Sequence, residues 1–315
     1  MFKQGDKDVM IFALAGTVMI SLLAILGSRM PIVGILIYPA AIFFLFCGVK
    51  NGFIFTLPFI TAAYVFAAFG TTFTTAIADV LGPALSAAVM GELLRLGRPQ
   101  GEVLVKGIGV GILCELSTLI CLKFLGDESL LAGLRETMQA TLDEATQSGQ
   151  MTIYTASVVQ QTYEMLLKLI PGLTISFVII GVVFIFFEGT AILHRRGQEM
   201  PYYFPFRDMS FPRRMIYGFL ILFLLGMLAG ALSLVDRNVL LVNLSLVMWT
   251  LVCIQGTAVL DYLWHRPHFP RFIYIILVIL AVISTVGTVV LFVVGILDLV
   301  INFRARIDAK RGRVE

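Results

Sequence analysis

The sequence predicts an all-α fold: a polytopic transmembrane helix bundle of about nine or ten membrane segments. Three observations carry this expectation. Of 315 residues, 59% are hydrophobic and only 14% charged, whereas a soluble domain carries about a quarter charged residues. Apolar runs close to the ~20 residues that span a hydrocarbon core recur along the chain. The basic residues gather in alternate loops, as cytoplasmic loops do.

The elements follow in order. The opening MFKQGDKD precedes an apolar stretch, 9–27. That stretch is too long for a signal-peptide core and further segments follow at once, so it reads as a retained first helix. Segments two to five are 32–49, 52–70, 72–91 and 103–122, the N-terminal membrane region 1–122. Pro39, Pro58 and Pro83 fall inside segments two, three and four, where each removes a backbone donor and tends to kink its helix. The polar stretch 123–168 holds Asp127, Glu128, Glu136, Asp143, Glu144 and Glu164. Leu130, Leu134, Met138 and Leu142 recur every four residues, so an amphipathic helix is expected over 129–145, in an external insertion on the membrane surface. Ser148 and Gly149 end it, and a second helix begins near Met151.

The C-terminal membrane region, 169–315, contains segments at 170–193, 215–234 and 239–263, basic loops and a basic tail. Its last apolar run, 272–303, would measure ~48 Å as one straight helix, well beyond a ~30 Å core. Ser, Thr and Gly cluster at 284–288 (STVGT), where a hairpin could turn. With a hairpin and the N-terminus inside, 18 of the 23 basic residues face the cytoplasm and 5 face out. Both termini are then cytoplasmic.

Several signals are absent. There is no GxxxxGK[ST], GxGxxG, HExxH or GxSxG. The three histidines, His194, His265 and His268, sit in basic loops without metal spacing, and Cys47, Cys114, Cys121 and Cys253 lie singly in apolar segments. No catalytic residue, metal site, cofactor or nucleic-acid role is expected.

Ionisable groups inside the membrane cost several kcal/mol unless paired or wetted, so they mark candidate sites. Asp79 and Glu115 each lie about seven residues, ~10 Å, below the outer ends of sequential segments. With Gly82 and Pro83, one turn after Asp79, they form a candidate polar cavity able to share a proton or a cation. Glu188, Gln255, Asp261, Asp298 and Arg304 form a second, inner-face polar layer in which salt bridging and interhelical hydrogen bonding are the default roles.

Three stretches carry a family resemblance: GILDLVINFR at 295–304, QGTAV at 255–259 and PYYFPFRDMSFPRR at 201–214, together with GELLRLGRPQGE at 91–102. On these the chain resembles the YybS-like family of bacterial inner-membrane proteins, a group without an assigned activity. Its organisation is also similar to the S components of energy-coupling-factor transporters. Those have six helices, however, and their small-residue docking pattern is not matched at 13–17. The resemblance implies a multi-pass protein of a bacterial inner membrane, working in the lipid bilayer with membrane or ATPase partner subunits. The expected activity is small-solute transport or substrate binding as a membrane subunit; the alternative is a non-transport scaffold supporting envelope assembly or division.

Overall fold

The structure is a computed structural model that describes residues 4–124, 138–141, 143–144, 146–148, 153–198, 203–212, 214–233, 236–264, 271–302, 304 and 306–307. Of the expected amphipathic face in the polar stretch only Met138 falls among them; His265, His268 and the end of the basic tail lie outside. Among the described residues there are helices and no strand. In chain order they are α1 (Gln4–Gly27), α2 (Pro31–Gly34), α3 (Ile37–Asn51), α4 (Phe53–Gly70), α5 (Phe73–Ala76), a π-helical turn (Ile77–Leu81), α6 (Gly82–Arg95), α7 (Gln100–Phe124), α8 (Ile153–Arg195), a 3-10 turn (Phe206–Asp208), α9 (Arg214–Ala231), α10 (Arg237–Trp264), α11 (Arg271–Ile283) and α12 (Thr285–Ile301). Among the described residues eight spans are long and apolar enough to cross a membrane, and they fall on the first eight apolar segments. The chain forms two compact units, Met1–Leu96 with Glu102–Phe186, and Gly97–Gly101 with Phe187–Glu315.

In the first unit small residues set the packing. α3 and α6 cross where Gly48 and Gly91 meet back to back; a Cβ on Gly48 would come within 2.7 Å of the Ala88 carbonyl oxygen, and one on Gly91 would strike the Leu45 carbonyl. Without a hydrophobic drive between helices in lipid, such close backbone contact is what holds them together. α1 joins α4 through two hydroxyls. Thr17 and Ser21 each reach their own preceding turn and also a carbonyl of α4, at Phe59 (3.2 Å) and Ala63 (3.0 Å). At the start of α4, Glu92 accepts from the Phe53 N–H (3.0 Å) and chelates Arg95. Gly52, at φ 89°, leaves room for that carboxylate.

The break expected at Gly82–Pro83 takes the form of the π-helical turn. Pro83 has no N–H to give to the carbonyl four residues back, and its ring crowds that position. The backbone widens instead, and the Gly82 N–H donates to the Ile77 carbonyl, five residues back. Asp79 sits in the middle of this turn. The helix expected to begin near Met151 runs on through Pro171 to Arg195 as α8, 43 residues long, or ~64 Å.

In the second unit α10 and α12 pack face to face. A Cβ on Gly256 would strike the Leu291 carbonyl, and one on Gly295 the Val252 carbonyl; Trp249 stacks on Phe292 with centroids 4.0 Å apart. Cys253 lies against the Thr288 carbonyl at 3.6 Å. The pairs 249–292, 252–295 and 255–298 follow one another at every third residue with one constant offset of 43, so the two helices run parallel. α11 must therefore return the chain between them, and 272–303 is an out-and-back element. It breaks at Ser284, whose Oγ caps α12 by accepting from the Gly287 N–H at 3.0 Å. The bend there is 103°. α11 has 13 residues, ~20 Å of helix, which is short of a full crossing and is the length of a re-entrant arm.

Candidate functional site

Two polar centres emerge, one in each unit. In the first, α7 carries Gly107, Gly111 and Glu115 at four-residue spacing, hence on one face. A Cβ on Gly107 would press within 2.5 Å of the Met90 sulfur, and one on Gly111 within 2.7 Å of Val178 and 3.1 Å of the Ser86 hydroxyl. The glycines thus draw α6 and α8 onto α7, and Glu115, one turn further along, is buried between them. Gly82 meets Cys114, the neighbour of Glu115, at 3.8 Å. This contact brings the π-helical turn with Asp79 and Pro83 to the same level. Asp79 and Glu115 lie within reach of each other's charge, and the hydroxyl of Tyr38 is within reach of both. The Tyr38 ring lies flat against α8 at Gly181, where any side chain would overlap it.

Thr174 lies beside Glu115 and donates to the Pro171 carbonyl at 3.1 Å. One hydroxyl proton serves one acceptor at a time. An ionised Glu115 takes that proton; a protonated Glu115 donates its own to Thr174 Oγ, freeing the hydroxyl for Pro171. Neither Asp79 nor Glu115 has an ion-pair partner among the described residues. Ser86, fully buried one turn below Glu115, has a hydroxyl without a partner.

The second centre unites three of the five expected inner-face residues. Asp298 Oδ2 accepts from Gln255 Nε2 (2.6 Å) and from Arg304 Nε (3.1 Å) and Nη2 (2.7 Å). Asn302, in the left-handed region at φ 55°, ends α12 and turns the chain so that Arg304 folds back onto Asp298. The guanidinium then reaches two carbonyls of the 203–212 loop, Arg207 (2.6 Å) and Met209 (2.7 Å), and Gln255 Oε1 accepts from the Phe211 N–H at 3.0 Å. From its other side the loop is held by Gln100, whose Oε1 accepts from the Phe204 N–H at 3.3 Å, by Phe187 against Phe204 and Phe206, and by His194 stacked on Tyr203. Glu188 is exposed on α8, away from this cluster. Asp261 is half-buried near Tyr274, whose hydroxyl donates to the Thr257 carbonyl at 3.4 Å.

Sequence reasoning missed Tyr38, Thr174 and Gln100. Only the four-residue spacing of Gly107, Gly111 and Glu115 could have pointed to the first. The loop carbonyls left no side-chain signal, but the prolines at 205 and 212 announced irregular backbone whose polar groups need partners.

A family model described as "Predicted membrane protein (DUF2232)" matches residues 18–299. No curated protein and no solved structure matches the chain.

Proposed function

The chain belongs to this DUF2232 family of predicted membrane proteins and is multi-pass, and from that premise we propose that it binds and moves a small solute as a membrane subunit. The observation that carries the reading is the unpaired carboxylate couple Asp79 and Glu115, set among membrane-spanning helices. Two uncompensated anions at such a place must be neutralised by a proton, a cation or a cationic group of the solute. The π-helical turn is the kind of irregular backbone that tends to accompany polar sites. Thr174, with two alternative acceptors, gives the couple a way to register its charge state. The YybS-like resemblance adds a bacterial inner membrane, the 18 to 5 division of basic residues adds cytoplasmic termini, and the S-component likeness adds an ATPase partner.

The test is retention of solute. Purified protein is equilibrated with an extract of growth medium, washed, and its bound small molecules are identified by mass spectrometry. The wild type should hold one class of solute that Asp79→Asn and Glu115→Gln lose. Equal retention by all three, or none by the wild type, ends the reading. The firmly held 203–212 loop favours a second reading, a scaffold that presents a rigid surface to an envelope-assembly or division protein. A protein that copurifies in mild detergent and is lost on altering the loop, with solute retention absent, would support it.

A further inference from the structure

Beside the Arg304 cluster lies a cavity of about 560 Å³, the size range of small-molecule sites. Its polar wall is Ser210, Arg214, Asp298 and Asn302; its apolar wall is Phe211, Pro212 and Leu299. Arg214 opens a membrane span and Asn302 follows the last turn of α12. The cavity therefore sits where apolar helix gives way to polar chain, at the level of lipid headgroups. The Asp298 charge is already neutralised by Arg304, with which it forms a buried ion pair at 2.7 Å. Arg214 is exposed and has no ion-pair partner among the described residues. Among the described lining residues the uncompensated charge is thus the single positive charge of Arg214, flanked by the Asn302 amide and by the Ser210 hydroxyl, whose bond to the Phe211 carbonyl is long at 3.5 Å. A guanidinium with neutral donors beside it is phosphate chemistry, and the apolar wall fits the first carbons attached to that phosphate.

We propose that this cavity binds the phosphate of an acidic glycerophospholipid headgroup, with the glycerol and upper acyl chain against Phe211, Pro212 and Leu299. The site is separate from the Asp79–Glu115 couple and does not depend on what that couple carries.

The test uses the full-length protein in detergent and follows its thermal unfolding and its native mass spectrum. The additives are phosphatidylglycerol, phosphatidylethanolamine, sn-glycerol 3-phosphate and inorganic phosphate. Phosphatidylglycerol should stabilise the wild type and remain bound, and Arg214→Gln should bind it about fivefold more weakly, the factor given by the ~1 kcal/mol contributed by one basic residue at an anionic surface. Asn302→Asp, which keeps the shape and the left-handed backbone tolerance while adding a negative charge, should weaken it similarly. A shift caused by glycerol 3-phosphate or phosphate, and lost in Arg214→Gln, would assign the same phosphate chemistry to a soluble ester and overturn the lipid source. Equal phosphatidylglycerol binding by wild type and both variants would mean lipid held only around the helices, and would overturn the proposal, as would no binding at all.

Discussion

At Asp298 a single carboxylate oxygen accepts three hydrogen bonds, and the guanidinium that supplies two of them also serves two loop carbonyls. Removing one partner of such a buried pair leaves the other charge uncompensated, which costs about 3–5 kcal/mol. Arg304→Gln should therefore lower thermal stability by that amount and make the 203–212 loop a site of rapid limited proteolysis. Loss of stability without new cleavage would show that the loop has other sufficient anchors. Asp79 and Glu115 predict the opposite sign. An unpaired carboxylate in a membrane helix is a burden on the fold, so Asp79→Asn and Glu115→Gln should unfold at or above the wild-type temperature while abolishing solute retention. The Asp298–Arg304 bridge was legible in the sequence because six residues separate the partners. The join of Gln255 to Phe211, 44 residues apart, was not, because nothing local encodes a contact made only once the helices have packed.

Among the helices, backbone contact through glycine is the common device. α3 crosses α6 at Gly48 and Gly91, and α10 runs beside α12 at Gly256 and Gly295. Gly256→Val should be strongly destabilising, by about 1–3 kcal/mol or more from overpacking alone, because the obstacle is the Leu291 backbone and cannot rotate away. Gly218 on α9 meets nothing within 4 Å. Gly218→Ala should be neutral or stabilise by up to ~1 kcal/mol through helix propensity. Thermal unfolding in detergent compares the two; equal effects would mean that α10 and α12 are not held at this distance. Helix positions were legible from hydropathy alone, since the segments expected at 9–27, 52–70 or 239–263 fall on helices. What the apolar pattern could not supply was the length of α8 or the direction of α12. Polar residues before Pro171 hid the continuity of the first, and direction became evident only from the order of side-chain contacts with α10.

For the whole chain, direction decides topology. Arg304 binds the 203–212 loop directly, so the end of α12 lies on the same side of the membrane as that loop. Two spans, α9 and α10, intervene, and the out-and-back pair α11 and α12 adds no net crossing. Among the described residues six spans precede the loop, an even number, so a cytoplasmic N-terminus, as expected from the 18 to 5 division of basic residues, would put the loop inside too. A cysteine introduced at Gly312 should therefore resist impermeant maleimide in intact spheroplasts, and one at Ser148 should react. The reverse pattern would sink the orientation; labelling at both would sink the even crossing count.

The Arg304 contact also has a clock in it. The carbonyl of Arg207 waits for a partner that is synthesised 97 residues later. At about 5–20 residues per second, that is roughly 5 to 20 s of translation. Throughout that interval the carbonyls of Arg207 and Met209 are without the guanidinium that later binds them. The segment is thus finished late rather than early. A nascent chain stalled before Arg304 has the loop anchored through Gln100, Phe187 and Gln255 but not yet through its middle, and arrival of this one side chain completes the set.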